Sequence, residues 1–477
     1  MNYRFMKTSA ALFFVTALLL ASCTKDTLPD NTTQMDGETI SAADEGMSAP
    51  QKIHLYLDGT GNNYMPNLIE QFRKEHPEVT VSITDYSQIM PDDYRTKLAS
   101  ELMTGGGPDV LLIINDGNET TDYMPDMTKM IQNDVFLDMN TLNVDFSGCN
   151  QTVMKIGEYQ GEQIIIPLNY SLGFLYSTEE RMAEAGITYY DGITLAEFSS
   201  AFPAFYENNP EKKAFLHYLG AQFLFPHNSV SLIDYEPGRF PDAAEGLPVL
   251  EQYATCFDNL FPDIFDSSEN VMEYMFYRNI TKYGAADADI YHSGDLLFMS
   301  GRGFNGTYDT ISMYNNNVYP EDIARGETPV LFPMPTITGE MPSPRMTYGL
   351  VVNAQTENTE AVEKFIETAI GMEFQYTTGG AGIFIHQELV DRMEQFYLTE
   401  GYDPGDPYLF PKNCEFDKAF VESYFHVLDN MSDPIPYMDR TSSSYVFSII
   451  RNAITGSMSI ENAYASAKSQ LEFYLSE

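Results

Sequence analysis

Tryptophan is missing from this 477-residue chain, so any broad stacking face has to come from its 32 tyrosines and 31 phenylalanines. Cysteine is scarce, at positions 23, 149, 256 and 414. These are widely spaced and form no C-x-x-C pair, so neither a disulfide framework nor a cysteine zinc site is implied. One bridge stays open to the sequence, and buried thiols are the simpler reading. Basic residues are few, 26 against 69 acidic ones, for a formal net charge of −43. Such a field repels phosphates and anionic membrane surfaces, which excludes nucleic acid as a partner. It favours neutral or cationic ligands, although acidity also serves solubility outside a cell.

Motifs of catalysis are lacking too. There is no G-x-x-x-x-G-K-[ST], H-E-x-x-H or G-x-S-x-G string, hence no phosphate-binding loop, zinc protease helix or nucleophile elbow. Gly301 to Gly306 fits G-x-G-x-x-G, but Arg302 and Phe304 are bulky, which makes a dinucleotide site a weak reading. Asp287 and Asp289 begin like a calcium loop without its glycine and terminal glutamate. The seven histidines, among them His54, His76, His227 and His292, are scattered and read as surface or capping residues before metal ligands. No cofactor and no metal are expected.

The one long apolar run stands at the start. Arg4 and Lys7 precede an almost unbroken apolar stretch from Ala10 to Ala21, the length of a signal-peptide core and short for a membrane span. The run ends in Leu20-Ala21-Ser22-Cys23, which resembles the bacterial lipobox. That resemblance implies cleavage after residue 22, lipidation of Cys23 and a mature charge of −45, since residues 1–22 carry only Arg4 and Lys7. An ordinary cleaved signal with a chance cysteine is the alternative. Thr24 to Pro50 is polar, with hardly any large apolar residue; it reads as a disordered tether, domain 23–50.

About 427 residues follow Pro50, too many for one core and suited to two lobes. Lys52 to Leu57 is a short β-type run, followed by turn formers from Asp58 to Asn63. Met65, Leu68, Ile69 and Phe72 mark one face of a helix that Pro77 closes. Val79, Val81 and Ile83 alternate as a second strand, Tyr94, Leu98 and Leu102 mark a second helix, and Val110 to Ile114 reads as a buried strand. The order β-α-β-α-β implies an α/β fold with parallel strands covered by helices.

The string FRKEHPEVTVSI, then YRTKL at 94–98, then GGGPDVLLI resembles the opening of the extracellular solute-binding proteins, family 1, that serve sugar importers. Asp134 to Asp138, GEQIIIP at 161–167, LGFLYS at 172–177, Gly294 to Phe304, PVLFPMP at 329–335 and Tyr348 to Ile370 resemble its later landmarks in order. The resemblance runs from about residue 52 to 385. It implies an α/β fold of the periplasmic-binding-protein-like type II, with two lobes joined by crossing hinge strands. Lobe one would hold 51–166 plus 332–385, and lobe two 167–331 plus 386–477. It further implies capture of a small-molecule solute, a sugar, by hinge closure for the permease subunits of an ABC importer. The protein would be extracytoplasmic, held to the membrane by the lipid on Cys23, monomeric and without catalytic activity.

Ligands in such sheets sit beyond the carboxyl ends of strands. Asp58, Thr60, Asn62 and Asn63 follow the first strand, and Asn115 and Asp116 follow the strand 110–114. Their short polar side chains suit hydroxyl groups, yet also suit turns and helix caps. Across the cleft, Asn169 and Tyr170 follow the expected crossing. Phe304, Asn305 and Tyr308 lie where the family usually has a tryptophan that stacks on a sugar ring. Two alternatives stay open: a non-sugar solute such as a peptide or polyamine, and a surface glycan-active lipoprotein enzyme, which would need a carboxylate pair whose distance no sequence supplies. Phe304→Ala and Asn62→Ala are each expected to lower ligand affinity in calorimetric titration without unfolding the protein. Unchanged affinity in both would place the site elsewhere.

Overall fold

In the computed structural model the described residues are 51–59, 63–114, 123–215, 241–262, 291, 293–299, 319–377, 382–399, 418–434, 437 and 458–476. Strand β1 (Lys52–Leu57) pairs in parallel with β2 (Thr80–Asp85) along its whole length and with β3 (Val110–Ile114) at Leu55. Both connections are helical, Tyr64–Glu75 and Pro91–Met103, as parallel pairing demands of a crossover. The two helical faces read from the sequence are the buried ones: Met65, Leu68, Ile69 and Phe72, then Tyr94, Leu98 and Leu102. Val110 to Ile113 are buried throughout, whereas Val81 and Ile83 on edge strand β2 are only partly covered.

Later in the chain come two short hairpin strands, β4 (Glu158–Tyr159) and β5 (Glu162–Gln163), then β6 (Ile166–Ser171), β7 (Phe174–Thr178), β8 (Pro329–Pro333), β9 (Arg345–Val352) and β10 (Ile383–Phe384). Six of the ten form one open sheet in the order β10-β6-β9-β3-β1-β2. Strand β9 is antiparallel to both β3 and β6, and β10 is antiparallel to β6. The helix Thr359–Ile370 packs beside Tyr64–Glu75 and against β1. Phe72 and Phe365 meet edge to face at 5.2 Å. Val362, Phe365, Ile366 and Ala369 on this second helix are wholly buried.

The second sheet is the antiparallel pair β7 and β8, extended by single bridges from Tyr176 to Met299 and from Lys213 to Leu296. Its core is phenylalanine-rich. Phe215 and Phe298 stack at 4.9 Å, and Phe198, Phe202 and Phe332 pack around them. The helices Ala243–Leu260 and Ile460–Ser476 cover this core. They approach so closely that a Cβ on Gly246 would lie 2.2 Å from the Tyr464 hydroxyl. Two cores on two sheets make this a mixed α/β two-lobe fold.

The chain divides between the sheets differently from the sequence-based expectation. Residues 167–171 were expected in lobe two, but they lie in β6 of the first sheet. A chain that left after residue 166 would strip partners from both β9 and β10, whose main-chain groups need the ladder. The passages between the sheets are residues 172–173 and 334–344, with Met334 N–H donating to the Gly173 carbonyl at 2.9 Å. Residues 386–477 do not move as a block into the second core either. Helix Gln387–Leu398 packs on β10, helix Lys418–Asp429 on β8, and the two on each other. Tyr424 stacks on Phe174 at 5.1 Å. Only Ile460–Ser476 joins the second core. Cys149 and Cys256 are free and buried, and burial pushes the Cys149 thiol up to about 12.

One buried ionic cluster holds the second sheet to its neighbours. Arg181 lies 2.9 Å from Glu327 and 3.3 Å from Asp322, with its guanidinium 3.8 Å from the centre of the Tyr291 ring. Asp322 is completely buried, so removing its cation leaves a carboxylate in a dry site. Arg181→Met is expected to lower stability by about 3 kcal/mol in urea unfolding; an unchanged midpoint would show that the cluster contributes nothing.

Candidate functional site

The first sheet ends in a shared edge. Strands β1, β2 and β3 run parallel and finish at Leu57, Asp85 and Ile114. Strand β6 opposes β9, as β3 does, so it finishes at the same edge with Ser171, paired with Arg345. There β9 and β10 enter the sheet, Ile383 opposite Tyr170. Asp58, Asn169, Ser171, Arg345, Tyr348 and Gly382, from four separate stretches of chain, thus lie along one edge of the sheet. The carboxyl edge of parallel strands is where an open sheet has a crevice to offer a ligand.

Tyr64 opens the helix after β1 and is buried at this edge. It stacks on Tyr348 with ring centres 4.5 Å apart and planes within 11°, and Phe374 meets it edge-on at 5.2 Å. A second run of aromatics flanks the ends of β1 and β2, with Tyr56 to Tyr86 at 4.9 Å, Tyr86 to Tyr94 at 5.7 Å and Tyr94 to Tyr123 at 5.6 Å. Burial, with the Asp58 carboxylate nearby, holds the phenols of Tyr94 and Tyr123 above their ordinary range. Both stay neutral hydroxyls at any physiological pH.

Asn169 is the unusual group of the edge. The ladder between β6 and β9 shifts register on both sides of it, a bulge of the kind that re-aims a side chain. It is 1 % exposed, and neither its Oδ1 nor its Nδ2 has a hydrogen-bond partner. Such isolation of a polar group costs free energy in the folded state. Gly382, just before β10, fits against it. Its φ is +150°, and a Cβ there would lie 3.0 Å from the Tyr170 carbonyl oxygen and 3.2 Å from the Asn169 Cβ.

The sequence-predicted residues divide as follows. Asp58 is partly exposed at the end of β1, and Asn63 is exposed at the start of its helix without capping it through its side chain. Asn169 and Tyr170 lie on the same sheet as Asp58, not across from it, because β6 is a first-sheet strand. Tyr170 is core: it is 1 % exposed, and burial, reinforced by Asp429, raises its phenol well above the ordinary range. Thr60, Asn62, Asn115, Asp116, Phe304, Asn305, Tyr308 and Cys23 lie outside the described residues, as do 301–306, Asp287 and Asp289. Sequence reasoning missed Tyr64, Arg345, Phe374 and Gly382. Their chain positions are far apart: strand pairing brings Arg345 and Gly382 beside β6, and ring contacts join Tyr64 to Tyr348 and Phe374.

Among the described residues no three His, Cys, Asp or Glu side chains are grouped to hold a metal ion, and no described helix is long and apolar enough to cross a membrane. A cavity of about 290 Å³ lies between helices Leu195–Ser199 and Ala243–Leu260, lined by Ser199, Thr255 and Cys256 among others. It belongs to the second lobe's own helices and not to the sheet edge.

Residues 58–376 match the family model described as bacterial extracellular solute-binding protein. The chain belongs to this family. Among solved structures it is similar to a putative oligosaccharide periplasmic-binding protein from Synechococcus sp. MITs9220, at 17% identity over 89% of this chain and 99% of that one, with a TM-score of 0.57. It is similar also to a periplasmic oligogalacturonide binding protein from Yersinia enterocolitica, at 14% identity over 89% and 99% with a TM-score of 0.56. A third is an ABC substrate-binding protein from Listeria monocytogenes in complex with cycloalternan, at 14% identity over 89% and 99% with a TM-score of 0.53. No curated protein sequence matches. At these identities the likeness to solved structures concerns the fold. Membership makes this chain an extracellular solute-binding protein of the kind that works with ABC transporters, in a family of binding proteins rather than enzymes. In this member the close approach of β10 to β6 needs glycine. Gly382→Ala is expected to destabilise the protein by about 2 kcal/mol, measured in urea, because side chains rarely adopt that backbone conformation; an unchanged midpoint would show that the strands have room to separate.

Proposed function

We propose that this solute-binding protein captures a neutral oligosaccharide between its two lobes and presents it to the permease subunits of an ABC importer. The observation that carries this reading is Asn169, a buried amide with an unpartnered donor and an unpartnered acceptor at the carboxyl edge of the first sheet. A carboxamide offers both functions at once, which matches a sugar hydroxyl that donates one hydrogen bond and accepts another. Tyr64, Tyr348 and Phe374 supply apolar ring surface nearby in a chain without tryptophan. A net charge of −43 disfavours anionic sugars. Three solved proteins of this fold carry oligosaccharide, oligogalacturonide or cycloalternan in their descriptions, which supports a carbohydrate without selecting one.

Capture then works through a hinge. The passages 172–173 and 334–344 connect the lobes, and a ligand that touches both lobes shifts the population towards the closed form by its differential affinity for that form. A transporter recognises the surface that closure creates. The remaining elements of the proposal are Asp58, Thr60, Asn62, Asn63, Asn115 and Asp116 on the first lobe, Phe304, Asn305 and Tyr308 on the second, and a lipid on Cys23 that keeps the monomeric protein at the outer face of the cell membrane.

A thermal-shift screen against neutral oligosaccharides, acidic oligosaccharides, peptides and polyamines tests the ligand class, with recovery of the intact ligand separating binding from hydrolysis. Asn169→Leu is the sharper test. It is expected to raise the stability of the ligand-free protein by about 1 kcal/mol, by removing an unsatisfied buried amide, and to weaken binding of the neutral oligosaccharide at least about tenfold. A variant that loses stability while keeping its affinity would show that Asn169 serves the fold alone.

A further inference from the structure

The lobes touch at a point outside the passages 172–173 and 334–344. Lys129 is in the helix Met127–Gln132, whose Met127 and Met130 are buried in the first core. Tyr474 is in the last turn of the helix Ile460–Ser476 and is buried in the second core. The Lys129 ammonium donates a hydrogen bond to the main-chain carbonyl of Tyr474, and it lies 4.9 Å from the centre of the Tyr474 ring. Both residues are remote in sequence from 172–173 and 334–344, and neither lies on the helices 387–398 and 418–429 that bridge the sheets.

The chemistry of the contact is specific to these groups. The last carbonyls of a helix have no partner within it and carry the negative end of its dipole. A lysine ammonium satisfies one of them and gains from the dipole, and the phenol ring adds the attraction of a cation to its face. Lys129 is only partly covered, so it keeps hydration when the contact opens, and separation does not strand a charge in a dry core. An interaction that forms in one arrangement of two lobes and is lost in the other biases the balance between them by its own free energy.

We propose that Lys129 and Tyr474 form a closure latch, a contact from the first lobe to the end of the second lobe's last helix that holds the lobes together before any solute arrives. This rests on the reading that the lobes open and close, and it deepens that reading by naming a determinant of the balance that does not touch ligand. The latch sets how much of the ligand-free protein is already closed, and with it the share of binding energy left to appear as affinity.

The test uses ligand-free protein, comparing wild type, Lys129→Met and Lys129→Arg by small-angle scattering and by amide hydrogen exchange. Lys129→Met is expected to reduce the closed-to-open ratio about three- to thirtyfold, seen as a larger radius of gyration and faster exchange in the last turn of the helix 460–476. Lys129→Arg keeps the charge and is expected to stay near wild type. Superimposable scattering and exchange for Lys129→Met and wild type would overturn the latch. Because no solute is present, failure of the carbohydrate reading shows separately, as absence of binding by any oligosaccharide while the comparison among the three proteins stands.

Discussion

Strand β6 is hydrogen-bonded on both sides, to β9 along most of its length and to β10 at Asn169 and Tyr170. Much of the molecule depends on this double ladder. It closes the first sheet between elements more than a hundred residues apart, and all six of its residues are buried. Its carboxyl end delivers the chain into the passage at 172–173, and its neighbour β9 receives the chain from the passage at 334–344. A strand so anchored keeps the start of one crossing and the end of the other in register within one sheet. The bulge at Asn169 is the exception within it, an irregularity of the kind that re-aims a side chain.

The passage 334–344 is also tied from outside. Ser343 donates to the Asp433 carbonyl at 2.9 Å, Lys155 pairs with the Asp433 carboxylate at 2.7 Å, and the Tyr437 N–H donates to the Ile156 carbonyl at 3.0 Å. The segment after helix 418–429 thereby straps the passage to the first lobe. The bridging helices serve the same end by a different force: Tyr424 stacks on Phe174 of the second sheet while Met393 and Leu389 pack towards β10. Apolar burial and a few polar ties join the two sheets without making the two cores one.

Acidic surface and aromatic interior divide the composition between them. The carboxylates that reach the interior are held by named partners. Asp109 accepts from the His54 N–H, Thr356 and Asn358, and Asp322 lies beside Arg181. The abundant phenylalanine fills the second core, and tyrosines line the carboxyl edge of the first sheet, where ring surface and a hydroxyl are both of use.

The elements up to residue 114 were legible because local patterns wrote them: the strand at 52–57, the helical face at 65–72 and the continuous apolar strand at 110–114 all lie where periodicity placed them. Family membership was legible because its landmarks keep their order. The allocation of 167–171 and 386–429 was not, since hydrophobic strands and helices carry no mark of which sheet they will join. The candidate site was legible only in part. Asp58 reads as a polar residue after a strand and Asn169 as one across the cleft, whereas Asn169 lies in β6 of the same sheet; Arg345 and Gly382 reach it through pairing between distant strands, and Tyr64 and Phe374 reach the edge from helices through ring contacts, none of which local sequence marks. By itself, then, the sequence determined the alternation of strand and helix, the acidity and the family, all of which follow from local periodicity and composition. Tertiary structure alone decided that Asn169 belongs to the same sheet as Asp58, that Tyr170 is core, and that Lys129 meets the last helix, because contacts between distant segments depend on which ladders close and which faces find a partner.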